Sequence, residues 1–188
     1  MSPGRPRSAA CDEAILRAAL DEYAERGYEA LSVDAVAARA GVSKATIYRR
    51  HDSKTDLVLA AAAALVEESW QPPASDDLRT ILRGVLDKLH ALFGSEHGRA
   101  ARMLVADAQS HPELADEFHR LVAERRAFTR DRIRAAAASG EIAANVDVDL
   151  VADLLAAPVF YRLFVSGDPV DDAFLDAVVD NVLRAAGA

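Results

Sequence analysis

The chain has 188 residues, of which 51% are hydrophobic and 28% charged, and its net charge is −8. That apolar share supplies a real core and excludes a disordered chain, while no uncharged apolar run approaches the ~20 residues that a membrane-spanning helix needs. The one cysteine, Cys11, cannot close an internal disulfide, and Asp12 and Glu13 stand where a signal peptide needs an apolar stretch, so the expected compartment is the cytoplasm.

Ile15, Leu16, Ala19, Leu20 and Tyr23 recur at helical spacing and predict a helix over Cys11–Arg26, closed by Gly27. After a turn at Tyr28–Leu31, Ser32 is placed to cap a two-turn helix carrying Val33, Val36 and Ala37, which stops at Ala40-Gly41. Ser43 caps a third helix to about Arg50, and Asp52 or Ser53 caps a fourth from Lys54 to about Trp70. Pro72 and Pro73 cannot lie inside a helix and mark a domain boundary. Helices are then predicted over Asp76–Phe93, Gly98–Gln109, Pro112–Ser139, Asp147–Val165 and Asp171–Ala186, the last two capped by their aspartates. No segment alternates as a strand would. The expected fold is all-α with about nine helices: a basic arm at 1–10, a three-helix domain at 11–56, a connecting helix at 57–72 and a second helical domain at 73–188.

The stretch that carries chemistry is residues 32–54. Two short helices joined by a glycine-containing turn are the helix-turn-helix geometry, in which the second helix enters the major groove of DNA. With Ile47 inside a small core, Lys44, Ala45, Tyr48 and Arg49 must point outward, with Thr46 at the edge of that face. Lys44 and Arg49 suit guanine N7 and O6, and Ala45 and Thr46 suit a thymine methyl. The hydroxyls of Thr46 and Tyr48 and the Lys54 ammonium suit phosphate oxygens, Ser43 is a further DNA-binding candidate, Arg50 is either a DNA contact or a salt bridge within the domain, and His51 is a boundary or phosphate residue. Net charge does not oppose this. Residues 1–58 hold nine Lys/Arg and nine Asp/Glu, so the whole excess of acid lies beyond them. Along the chain Arg39, Lys44, Arg49, Arg50 and Lys54 face only Asp52, a local positive patch that phosphate attraction can use. Arg5 and Arg7 add a basic tip able to enter a minor groove.

Residues 12–58 resemble the DNA-binding domain of the TetR family of repressors. The likeness is carried by Ile15-Leu16, Ala19, Tyr23, Glu25-Arg26-Gly27-Tyr28, Ala40-Gly41-Val42-Ser43-Lys44, Thr46-Ile47-Tyr48, Ser53-Lys54 and Leu57. His51 departs from the pattern, which has an aromatic there. The resemblance implies a homodimer on a two-fold-symmetric, palindromic operator in double-stranded DNA. It also implies a C-terminal domain whose small-molecule ligand releases the DNA; activators and co-repressor-type regulators share the fold.

On that resemblance the last two helices form the dimer interface, through Val151, Leu154, Leu155, Pro158, Val159 and Leu163 on one and Phe174, Val178, Val182 and Ala185 on the other. Phe93, Met103, Leu104, Phe118, Val122 and Phe160 are the large apolar candidates for a ligand pocket. An enzyme is not expected. His90, His97, His111 and His119 form no metal-binding motif, Cys11 has no nucleophile signature, and no cofactor motif is present.

Overall fold

The computed structural model describes residues 6–69 and 74–188. Among them are nine α-helices and no strand: α1 Pro6–Ala30, α2 Val33–Ala40, α3 Lys44–Tyr48, α4 Lys54–Ser69, α5 Leu78–Gly94, α6 Gly98–Asp107, α7 Pro112–Ser139, α8 Val148–Tyr161 and α9 Asp172–Ala185. The all-α expectation is borne out.

Local chemistry explains most of the starts. The side chains of Ser32, Ser43, Asp147 and Asp171 each accept a backbone N–H three residues on, from Ala35, Thr46, Leu150 and Phe174. Ser53 and Asp77 do the same for α4 and α5. Each such cap is worth roughly 1 kcal/mol against alanine. Pro112 opens α7, where its missing N–H costs nothing. Between α2 and α3, Gly41 takes a left-handed φ of 67° and donates its N–H back toward Ala37 and Ala38, which makes the sharp turn possible.

Three boundaries differ from expectation. α1 starts at Pro6 and does not stop at Gly27; it kinks there and continues one more turn to Ala30, with Leu31 N–H bonded to the Gly27 carbonyl at 3.1 Å. α3 ends at Tyr48, and Arg50 and His51 donate back to the Ile47 carbonyl in a closing turn. α8 does not run evenly to Val165. Pro158 lies inside it and removes one helical N–H, and residues Arg162–Ser166 form a wider π-helical turn.

The chain forms two compact units, and neither is a continuous stretch. The first takes residues 1–69 and 92–121, the second 70–91 and 122–188. The first change of unit falls beside the Pro72-Pro73 break, but residues 92–121 return to the first unit. α5 and α7 therefore each belong partly to both.

The first unit is built on Ile15, Ala19 and Tyr23 of α1, Val36 of α2, Ile47 of α3 and Leu57 and Ala61 of α4. Ala100 and Leu104 of α6 and Leu114 of α7 complete the same core. The second unit packs Leu82 and Leu86 of α5, Ile133 of α7, Val151, Leu155 and Val159 of α8 and Leu175 and Val179 of α9. Each large aliphatic side chain buried in these cores contributes about 1.5–3 kcal/mol relative to exposure. On the surface of the second unit Arg83 joins Asp87, Asp172 and Asp176, tying α5 to α9.

Candidate nucleic-acid interface

The rotation of α3 follows from Ile47, which is 1% exposed in the core of the first unit. Three residues before it and one and two after it, Lys44, Tyr48 and Arg49 stand on the exposed side with Ala45. Tyr48 is 46% exposed. Thr46 is half-buried; its hydroxyl lies 2.9 Å from that of Ser43, within the cap of α3.

The electrostatics of this face differ from the expected patch. Lys44 Nζ lies 2.8 Å from Asp34 Oδ2. Arg39 forms a two-pronged bond to Glu25, at 2.9 and 2.7 Å, with Asp21 and Glu22 also near. That bond holds the Glu25 carboxyl below the usual carboxylate range. Arg50 pairs with Asp12 and donates to the Thr46 carbonyl. The expectation of five cations facing only Asp52 is therefore corrected. Acids of α1 and α2, distant along the chain, fold up beside the cations. Among the described residues Arg49 alone of the five forms neither an ion pair nor a side-chain hydrogen bond.

Lys54 and His51 also have structural partners. The Lys54 ammonium donates to the Tyr28 and Glu29 carbonyls and sits 4.4 Å from the centre of the Tyr28 ring, closing the end of α1. The phosphate contact expected of Lys54 meets an ammonium already held by carbonyls. His51 is buried between α3 and α4, its Nδ1 3.4 Å from Asp56, which also accepts the Asp52 N–H. It occupies the place where the family pattern has an aromatic. Arg5 lies outside the described residues, as does the Arg7 side chain.

Sequence reasoning missed the polar contacts between α1 and the 97–111 segment. The buried Tyr23 hydroxyl donates to Asp107 Oδ2 at 2.7 Å. Burial first, and then the Asp107 carboxylate, holds that phenol far above its ordinary range, so it remains a donor throughout the neutral region. His97 Nε2 lies 3.2 Å from Asp21, and His111 Nδ1 3.5 Å from Glu29 with its ring 4.8 Å from that of Tyr28. The Tyr28 hydroxyl in turn meets that of Thr55 at 2.7 Å. His97 and His111 are thus mostly covered. Partners separated by 76 to 84 positions leave no local signal.

Tyr23→Phe is expected to cost about 1–2 kcal/mol, because it leaves Asp107 short of a donor. Asp107→Ala is expected to cost a similar amount, with the double variant costing little more than either. Denaturant midpoints of the three proteins check this; additive losses would show that the two groups act independently.

The expected pocket residues differ in burial. Leu104 is in the first unit's core, with Met103 and Phe118 packed against it, and Phe93 is 4% exposed. Met103 Cε approaches the backbone at Gly27. Leu104, Met103 and Phe118 thus pack in or against the core that carries the helix-turn-helix. Val122 is 43% exposed, and Phe160 stacks on Phe164.

The residues of the expected dimer face also differ in burial. Val151, Leu155, Val159, Val178 and Val182 are buried inside a single copy, and Leu154 is exposed. Phe174 lies under the Arg162 guanidinium at 3.5 Å, and Pro158 is half-buried. The exposed large apolar residues of this segment are Leu150, Leu154, Tyr161, Phe164 and Val165, with Ala157 among them. An open depression of about 420 Å³ lies beside them, lined by Ala157, Pro158, Tyr161, Arg162, Asp168 and Phe174.

Among the described residues no three His, Cys, Asp or Glu side chains are grouped to hold a metal ion, and no helix is long and apolar enough to cross a membrane.

Known proteins match both parts of the chain. Residues 15–61 fit the family described as bacterial regulatory proteins, tetR family, and residues 72–182 the tetracyclin repressor-like C-terminal domain. The HTH-type transcriptional regulator YdeS of Bacillus subtilis is 30% identical over 186 residues, covering 98% of this chain and 94% of that protein. The DNA-binding transcriptional repressor TetR of Mycobacteroides abscessus is 33% identical over 183 residues, covering 96% and 93%. The crystal structure of the TetR family transcription regulator SCO0332 superposes with a TM-score of 0.73 at 33% identity, over 93% of this chain and 97% of that one. With an outward-turned α3 on a three-helix core and matches spanning both parts, the chain belongs to the TetR family of DNA-binding transcriptional regulators.

Proposed function

We propose that this regulator is a cytoplasmic, homodimeric repressor that grips a palindromic operator and is released from it by a small molecule, and that it has no enzymatic role. The observation that carries the DNA side is the face of α3: Ile47 buried, Lys44, Ala45, Tyr48 and Arg49 outward. Arg49 has the freedom to reach guanine N7 and O6, Ala45 meets a thymine methyl, and Tyr48 and Ser43 meet phosphate oxygens. Arg5 and Arg7 add minor-groove contacts. Arg50 and His51 act from behind, by fixing the ends of α3.

Pairing of two copies is supported by the apolar stripe of Leu150, Leu154, Ala157, Tyr161 and Val165, which a second copy would cover. Release is supported by the composition of the first unit. The helix-turn-helix shares its core with α6, so a ligand that prefers a displaced α6 would displace the reading head as well. Phe93, Met103, Leu104 and Phe118 are the candidate contacts for that ligand within the first unit.

Selection of bound duplexes from a random pool tests the reading. Two inverted half-sites about one helical turn, ~34 Å, or a simple multiple apart are expected. Arg49→Ala is expected to relax preference at one operator position at a cost of roughly 1–3 kcal/mol, and Tyr48→Ala to weaken all sequences alike and lower the salt sensitivity. Recovery of no duplex, or full affinity in both variants, overturns it.

A further inference from the structure

The acids around the helix-turn-helix differ in their surroundings. Arg39 and Arg50 have side chains 35% and 25% exposed, and both are bonded into the scaffold by more than one partner. Lys44 and Asp34 are 48% and 70% exposed, and they touch each other in solvent at the rim of the outward face of α3. Asp34 lies in the first turn of α2, where the positive end of the helix favours a carboxylate. Lys44 lies in the first turn of α3, where the same effect disfavours an ammonium. The carboxylate, then, holds the ammonium where it stands, and their hydrogen bond raises the lysine above its ordinary range.

Taken as a phosphate contact in place of the guanine contact expected from the sequence, Lys44 meets DNA as an ammonium already bound to an anion, with that anion's charge only 2.8 Å away. We infer that Asp34 is an internal competitor of the DNA phosphodiester for Lys44, setting affinity and its salt dependence below what this face would give without it. The inference rests on the reading of α3 as the DNA-facing helix. Because phosphate carries no sequence information, the competition acts on every duplex alike. It limits non-specific binding without touching the base contacts of Arg49. An exposed pair contributes little to folding, so this role costs the fold almost nothing.

The test compares wild type, Asp34→Asn, Lys44→Ala and the double variant as full-length proteins. Binding is titrated over a range of salt against a mixed-sequence duplex and against a duplex selected by the wild type. Asp34→Asn is expected to tighten both roughly three- to tenfold near ~0.1 M salt, and to steepen the log–log salt dependence by about 0.9, one extra phosphate. In the Lys44→Ala background the same change should produce a much smaller gain and no change of slope. Thermal melting of each variant separates these effects from lost folding.

Equal or weaker binding by Asp34→Asn overturns the inference, as does an equal gain in both backgrounds, which would make Asp34 a source of general repulsion only. The DNA-facing reading fails separately, if Lys44→Ala and Arg49→Ala both bind like the wild type. Lys44→Ala weakening while Asp34→Asn leaves binding unchanged keeps that reading and removes the competitor.

Discussion

Ile47→Ala is expected to lower stability by about 2–5 kcal/mol and to abolish operator binding while most of the helical signal persists. Ile47 is 1% exposed and is the buried residue of α3, a helix of only five residues. So short a helix has almost no stability of its own; its direction is set by what it packs on. Truncation to alanine leaves a void beneath α3 and removes the contact that opposes rotation. Lys44, Tyr48 and Arg49 would then leave the geometry that the proposed DNA contacts require. Ile47→Val, which keeps the branched shape, is expected to cost only about 0.5–1.5 kcal/mol and to retain binding. Chemical denaturation with duplex titration checks both. An alanine variant that binds like the wild type at a temperature where it is folded would show that something else orients α3.

Gly98→Ala is expected to destabilise by about 3 kcal/mol or more, against the usual gain of up to ~1 kcal/mol for replacing a helical glycine. A Cβ at this position would lie 2.1 Å from the Phe93 carbonyl oxygen and 2.6 Å from its carbon. Those are backbone atoms that no rotamer change can move aside. Relief would require the α5–α6 turn to open, moving the helix that carries Ala100, Leu104 and Asp107 to α1. For a chain of this size such a loss corresponds to a fall in Tm of roughly 6–12 °C. Gly94→Ala is the control, since nothing lies within 4 Å of its Cβ position and its effect should be near zero. Calorimetry of both variants decides the matter; equal melting temperatures would mean the turn is freer to adjust than its geometry implies.

Much of this architecture can be read directly along the chain, and the reason is local. Ser32, Ser43, Asp147 and Asp171 announce helix starts because a cap acts over three residues. The burial of Ile47 and the exposure of Tyr48 follow from helical period alone. What lies beyond sequence reasoning depends on distant partners. The counting that left Arg39, Lys44, Arg50 and Lys54 unopposed used chain neighbours, whereas Glu25, Asp34, Asp12 and the Tyr28 carbonyl reach them through the fold. In α8 the apolar stripe was legible, but not which edge of it faces inward. Val151, Leu155 and Val159 fill the protomer, and their neighbours Leu150, Leu154 and Tyr161 are left outside. The joining of α6 to the DNA-reading helices had no signal at all, because Tyr23 and Asp107 are 84 positions apart.

That joining bears on how such regulators can be recombined. A head excised at the end of α4 would lack Ala100, Leu104 and Leu114 beneath it and the acceptor for its own Tyr23. Transplanting only the first 69 residues onto a foreign C-terminal domain therefore exchanges part of a shared core for one shaped by another ancestor. A chimaera that also carries residues 92–121 keeps that seam intact.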